Sequence, residues 1–310
     1  MKTDNILVNA FSGAIANCTG VTVSNLIDQA KVRLKIQRVS ATKTPQRVDF
    51  RNPFDCIWKV AKREGLRKAH RGLSAAYLQQ FIMNGTRYGT CESINILLDH
   101  QAHISKNIFV NLFIGFTSGF VGVTAAWPFQ MMKTMLHNDL PLQGKGGYHY
   151  NGFVDAFRKV YRTERMGGVM RDSKISRLAV AWALGVQANT YNMTLNSLAR
   201  VGQSRDSVSA HFCSAFIAGL VVSVFCKPTN SLATKATALI RERRASQMEM
   251  KSHKIFGDLI ARTKAEGLKG LYKGYTGYAL LQVTHTVISY VALEFYRDRM
   301  KNYIMNNSTN

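Results

Sequence analysis

Acidic residues are scarce in this chain. Its 18 Asp and Glu stand against 41 Lys and Arg, which leaves a formal net charge of +23 and a pI of about 10.1. A surplus of that size points to anionic partners: phospholipid, nucleic acid or small acidic solutes. Cysteine is also sparse. Cys18, Cys56, Cys91, Cys213 and Cys226 lie far apart, with no C-x-x-C and no close His cluster. That spacing excludes a zinc ribbon and supplies no disulfide framework, so buried free thiols are expected. The histidines are scattered, with no matching Ser or Cys and no metal-ligand spacing, so neither an enzyme nor a bound cofactor is expected. Met1 to Asn5 is too short and polar for a signal peptide or an Arg-rich presequence, so any organellar address is expected to be internal. Continuous greasy runs are missing too, and mean hydropathy is slightly negative at -0.10.

What the chain does have is one pattern stated three times, at a period of roughly one hundred residues. Glu64-Gly65-Leu66-Arg67-Lys68 leads to Gly72, Glu164-Arg165-Met166-Gly167-Gly168 to Asp172, and Glu266-Gly267-Leu268-Lys269-Gly270 to Gly274. The same offset carries Gly119 onto Gly219 and Pro128 onto Pro228. Three fused units, at about 5–100, 105–200 and 207–304, form one domain over 1–310 with a pseudo-threefold axis.

Long stretches are free of charge: Asn5 to Ile27, Asn107 to Met132, Leu178 to Ala199, Ser207 to Cys226 and Tyr275 to Leu293. A sixth runs from Gly72 to Thr86, is broken by Arg87 and resumes to Cys91. Five are near or above the ~18–20 residues that span a bilayer core, which predicts two spans per unit. Amides and a histidine interrupt them, among them Asn17, Gln79, Gln80, Asn84, Gln187, Gln282 and His285, so one face of each span is expected to meet water. The competing reading is a soluble α protein with buried helices; the length of the runs and their small residues argue against it. Gly13, Ala16 and Gly20 share a face, as do Gly115, Gly119 and Gly122, and Ala215 and Gly219, a spacing that lets helices approach closely in lipid. An even number of spans puts both termini on one side and the three basic loops on the other. Each loop predicts a short amphipathic helix, about Pro53–Arg63, Phe153–Thr163 and Lys254–Ala265; in the first, Phe54, Ile57, Trp58 and Ala61 share a face.

Over nearly its whole length the chain resembles the mitochondrial carrier family. The resemblance rests on the P-x-[DE]-x-x-[KR]-x-[RK] motif that ends each odd-numbered span. The second copy reads Pro128-Phe129-Gln130-Met131-Met132-Lys133, the third Pro228-Thr229-Asn230-Ser231-Leu232-Ala233-Thr234-Lys235, and the first Leu26-Ile27-Asp28-Gln29-Ala30-Lys31-Val32-Arg33. The run Gln80 to Thr90 is similar to the second helix of the oxaloacetate, dicarboxylate and uncoupling-type branch. The resemblance implies an all-α membrane protein: six transmembrane helices in three pseudo-symmetric repeats, each with a short amphipathic matrix helix, around a central cavity. It also implies a monomer in the mitochondrial inner membrane that transports small organic anions, mono- or dicarboxylates or keto acids, by alternating access.

In that family the acid of one odd helix pairs with the base of the next. On the matrix side this pairs Asp28 with Lys133, sets Gln130 against Ala233, and leaves Asn230 facing Lys31 as an amide–lysine contact. The opposite gate, [FY]-[DE]-x-x-[KR], sets Glu92 against Leu195, Asn192 against Arg297 and Glu294 against Asn95, without one full ion pair. Glu294 and Arg297 are alternatively an i, i+3 pair on a single helix. The resemblance makes Arg87 the substrate-binding arginine, gripping a carboxylate with parallel hydrogen bonds. Asn84, Arg177, Gln282 and His285 are further candidates for the binding site. A structural role is the alternative for Arg87 and Arg177, and helix-packing hydrogen bonds for His285. The family's equivalent positions, seven residues after the turn glycine, fall at Ala179 and Leu281, about 200° round the helix from Arg177 in the first case.

The turns Tyr272-Lys273-Gly274 and His70-Arg71-Gly72 match those that hold cardiolipin phosphates in the family, the third repeat's best, and in the second repeat's Met170-Arg171-Asp172 the aspartate replaces glycine and adds repulsion. Two function classes therefore stand. One is an organic-anion carrier. The other is a carrier-fold protein with degraded gates that has lost transport and serves a structural or regulatory role. A nucleic-acid binder is disfavoured, because the basic residues flank the membrane spans.

Overall fold

The computed structural model describes residues 2–43, 50–65, 70–99, 108–138, 150, 152–171, 174–204, 207–245 and 252–308. They fold into nine helices: α1 (Lys2–Lys43), α2 (Pro53–Glu64), α3 (Leu73–Asp99), α4 (Ile108–Asn138), α5 (Phe153–Arg171), α6 (Lys174–Arg200), α7 (Val208–Ala245), α8 (Ser252–Leu271) and α9 (Tyr275–Ser308). The six long helices close into a ring. Helix α1 packs between α3 and α9, α4 between α3 and α6, and α7 between α6 and α9. Each short helix docks on the long helix before it: α2 on α1, α5 on α4, and α8 on α7.

The ring is apolar outside and polar inside. Phe11, Phe81, Phe113, Trp182, Phe212 and Phe225 are exposed, while Asn25, Gln79, Asn84, Arg87, Gln187 and Thr286 are buried. Water would drive the reverse arrangement; lipid around the ring accounts for this one. Among the described residues, two stretches, Ile108–His137 and Val208–Ile240, are apolar enough as well as long enough to cross a membrane by composition alone. The other four long helices spend their charge-free stretches partly on interior amides and hydroxyls, which lowers their hydropathy without shortening them.

Close helix crossings use the small residues, but not as single stripes. A Cβ on Gly115 would stand 3.0 Å from the Gly185 Cα, and one on Gly119 3.3 Å from the Ala181 carbonyl, so both seat α4 against α6. Gly122 turns to α3 instead, where a Cβ would press on the Met83 carbonyl and Arg87. Gly13 is likewise filled by the Tyr88 ring of α3, and Gly20 by Ser289 and His285 of α9. Each odd span thus has two neighbours to approach, and its small residues are divided between them.

The short helix α2 divides its apolar residues between two surroundings. Its docked face is Cys56, Val60 and Ile57, packed on Leu26, Ala30, Leu34 and Phe50. Phe54 and Trp58 are 67% and 71% exposed, away from α1. A face of an amphipathic helix at the end of the ring has two apolar surroundings to choose from, the neighbouring helix and the membrane interface. Burial pushes the Cys56 thiol up to about 11, which keeps it protonated and inert. The thiols are not all buried: Cys213 is exposed on α7. In the second repeat α5 runs on unbroken to Arg171, whereas α8 kinks at Gly267, with φ 64°.

Candidate functional site

At the end of the ring that carries the short helices, Asp28 of α1 draws the interior together. Its carboxylate lies 3.0 Å from Lys133 Nζ of α4 and 3.1 Å from Lys31 Nζ one turn along its own helix. Because α3 stands between α1 and α4 in the ring, the Asp28–Lys133 pair bridges helices that are not sequential neighbours in the ring. His137, buried on α4, approaches the same carboxylate at 3.7 Å. Its ring also packs under the Gly72 turn, where a Cβ would meet it at 2.9 Å; the backbone there, at φ 80°, suits glycine as well. No motif singled out His137, because its role depends on a turn from another part of the chain.

The other two expected contacts at this end differ. Asn230 donates from Nδ2 to the Tyr278 hydroxyl at 3.2 Å, not to Lys31, which is held by Asp28. A lysine finds a carboxylate a stronger partner than an amide, and the amide takes the hydroxyl left over. Gln130 is half-buried, and Ala233 is buried with nothing to offer a polar group.

Two residues further along, the last basic position of the motif ties down the short helix in the first and third repeats. Arg33, only 3% exposed, makes a bidentate pair with Glu64 at 2.6 and 2.9 Å. Lys235 reaches Glu266 at 3.0 Å in the third repeat. The second repeat has Met135 at this position, packed among the apolar residues of α4 and α5. Glu64→Gln is therefore expected to lower stability by about 3 kcal/mol, since it strands a buried guanidinium. An Arg33→Met/Glu64→Met double variant is expected to regain most of that loss, as the second repeat manages without the pair. Thermal melts of the detergent-purified variants read both; a Glu64→Gln protein as stable as wild type would refute the assignment.

Arg87 is buried mid-way along α3, with its guanidinium 4.3 Å over the Tyr88 ring and Tyr290 of α9 within its reach. Its Nε has no hydrogen-bond partner among the described residues. The residue seven positions after Gly72 is Gln79, so Arg87 lies about two turns further along the helix. Its repeat equivalents are accordingly Gln187 and Ser289, not Ala179 and Leu281. Both are buried, which puts a cation, an amide and a hydroxyl at one level of the ring. Gln187 donates to Thr286 at 2.9 Å and Tyr191 stacks on Tyr290 at 3.9 Å, so α6 and α9 meet across the interior. Tyr191 also shares a 2.7 Å hydrogen bond with His211. Tyr191 is the aromatic position of the gate motif that carries Asn192; Tyr290 belongs to no motif, because an aromatic in a span carries no sign of whether it faces lipid or the axis.

The remaining candidates divide. Asn84 is buried and spends its Nδ2 on Gln80, at 3.1 Å to the carbonyl and 2.7 Å to the side chain. Arg177 is buried in the first turn of α6, and Gln282 is half-buried on α9. His285 bonds Ser24 of α1 at 3.2 Å, the helix-packing arrangement. At the far end of the ring, Arg297 pairs at 3.0 Å with Glu294 on its own helix. Asn95 donates to Cys91 at 3.8 Å, Asn192 is exposed, Leu195 joins an apolar cluster, and Glu92 is half-buried. The cross-helix contacts expected there are thus replaced by local ones. Asn95 and Asn192, the residues set against Glu294 and Arg297, carry no charge, so a residue one turn away is the nearest alternative. At the turn expected to hold a phosphate in the third repeat, Gly274 has φ 76°, Tyr272 donates to the Val224 carbonyl at 3.2 Å, and Lys273 is exposed. Asp172 lies outside the described residues.

Six long helices in a ring, polar within and apolar without, with short helices closing one end in three repeats, define a membrane carrier. A family model described as mitochondrial carrier protein matches residues 2–101, 105–201 and 204–304, and the chain belongs to that family. The Saccharomyces cerevisiae mitochondrial oxaloacetate transport protein is 28% identical over 293 residues, covering 91% of this chain and 86% of the relative. Mitochondrial citrate transporter E of Aspergillus niger is 26% identical over 285 residues, 90% of this chain and 88% of its own. The mitochondrial 2-oxoglutarate/malate carrier protein of Caenorhabditis elegans is 24% identical over 292 residues, 94% and 91% respectively.

Proposed function

We propose that this protein exchanges small carboxylates across the mitochondrial inner membrane, with Arg87 as the group that grips the substrate. The observation that carries the reading is a buried arginine in the middle of a span whose Nε meets no protein acceptor among the described residues. Such a cation is costly unless an anion or water answers it. One cation, flanked by the Gln187 amide and the Ser289 hydroxyl, suits a carboxylate with further oxygen atoms. It suits a nucleotide poorly, since several phosphates call for several cations. The names of the relatives, which cover oxaloacetate, citrate and 2-oxoglutarate with malate, lie in the same chemical class.

In this reading Asp28 and Lys133 hold the matrix end shut and part when substrate moves through. Glu294 and Arg297 pair with each other, and no cross-helix ion pair closes the opposite end among the described residues, so opening there breaks little Coulomb energy. Tyr272, Lys273 and the Gly72 and Gly274 turns offer backbone N–H groups and charge to cardiolipin, and the protein works as a monomer. The full chain reconstituted in malate-loaded liposomes is expected to take up labelled oxaloacetate, citrate or 2-oxoglutarate above empty liposomes. The local pairing at the far end favours the second reading, a carrier fold without transport. Absence of uptake for every solute in a broad panel would decide for it.

A further inference from the structure

Three residues stand one helical turn inward of the matrix-end positions, at the repeat offsets: Asn25 before Asp28, Trp127 before Gln130 and Lys227 before Asn230. A residue three positions away lies about 60° round a helix, so each shares the face of its partner in the motif. All three are donors: an amide, an indole N–H and an ammonium. Asn25 is 0% exposed, and neither its oxygen nor its nitrogen has a partner among the described residues. Trp127 is 7% exposed and its Nε1 is equally unpartnered among them.

Lys227 lies inside the span Val208–Ile240, against the Tyr278 ring at 5.3 Å. No carboxylate among the described residues comes within ion-pair distance of it, and the charges that act on it, Lys31 and Lys35, have its own sign. Asp28 is the nearby acid of the repeat pattern, and Lys133 and Lys31 already hold it.

Unpartnered buried donors and an uncompensated cation are each unfavourable inside a membrane bundle. One kind of ligand answers all three: a small anion with several acceptor oxygens. We propose that Asn25, Trp127 and Lys227 form a second station for a carboxylate-bearing anion, on the matrix side of Arg87 and one turn inward of the Asp28–Lys133 pair. The identity of the ligand rests on the carboxylate-carrier reading; the donor set does not. Such a station would hold the anion at the point where the matrix end opens. The loss of the acid at Asn230 then has a use, because a carboxylate there would compete with the ligand for Lys227.

The chain has three tryptophans, and Trp58 and Trp182 are both exposed, at 71% and 39%. A Trp58→Phe/Trp182→Phe variant therefore leaves Trp127 as the only indole, beside the proposed station. Malonate titrated into this purified full-length protein is expected to shift its emission saturably. Lys227→Gln in that background is expected to raise the half-saturating malonate at least about tenfold, and Lys227→Arg to keep it near the parent value. An emission that malonate does not move, or a half-saturation unchanged by Lys227→Gln in a protein that still melts cooperatively, overturns the proposal. Cardiolipin added to the micelles without malonate separates a lipid phosphate from a soluble carboxylate. A Lys227-dependent shift with cardiolipin alone, and none with malonate, overturns it as well. Exchange in liposomes is scored separately. Exchange with a silent Trp127 removes the station and leaves the carrier reading standing, while a responsive Trp127 without exchange of any solute does the opposite.

Discussion

Arg87→Ala protein, reconstituted alongside wild type, is expected to exchange labelled dicarboxylate at no more than about a hundredth of the wild-type rate. The estimate follows from a paired, charge-assisted hydrogen bond in a desolvated interior, worth about 3 kcal/mol. Little else at this level can replace it. Gln187 is engaged with Thr286, and Ser289 offers a single neutral hydroxyl. Arg87→Lys is expected to recover part of the rate, because a lysine keeps the charge but loses the planar fork. Folding is a separate matter, and removing a buried cation that no carboxylate among the described residues pairs with should raise rather than lower the melting temperature. Full exchange by the alanine variant would sink the assignment of Arg87. A variant that melts far below wild type would show that Arg87 instead supports the packing of Tyr88 and Tyr290.

Asp28→Asn is the second large effect, and it acts on stability. Lys133, 9% exposed, would keep its charge and lose its acid, as would Lys31 beside it. Breaking one side of a buried pair costs about 3 kcal/mol or more, mainly because the remaining charge is stranded. Melting temperature in detergent should fall accordingly. An Asp28→Asn/Lys133→Gln double variant should be more stable than the single one, since it removes the stranded charge and allows an amide–amide contact. Equal melting of wild type and the Asp28→Asn protein would mean that the pair does not hold this end of the ring together.

Much of this architecture was legible in order of residues alone. Charge-free stretches marked the long helices, since a helix crossing lipid does not tolerate scattered charge. The Pro53 start and the basic residues near the end of the first short helix placed α2 to within a residue at its C-terminus. The Asp28–Lys133 pair was readable through the resemblance to the carrier family, in which the acid of one odd helix pairs with the base of the next. Legibility failed wherever a residue had two environments to choose from. Phe54, Ile57 and Trp58 share a face by spacing, yet Phe54 and Trp58 are exposed while Ile57 joins Cys56 and Val60 against α1. Asn230 had Lys31 in prospect and took Tyr278. His137 and Tyr290 belong to no motif, and only the closing of the ring brings them to Asp28 and to Tyr191.

The sequence by itself determined the three repeats, the helical spans, the family and the strong opposite-charge pair, because periodicity, length and unit charge are properties of a chain read in one dimension. The tertiary structure alone decided which partner each neutral polar group accepts and which donors are left unanswered. Hydrogen bonds are short-ranged and nearly equal in strength among amides and hydroxyls, so a few ångströms of helix placement choose between them. Asn25, Trp127 and Lys227 are ordinary residues in the sequence; the ring is what turns all three into donors without a protein acceptor among the described residues.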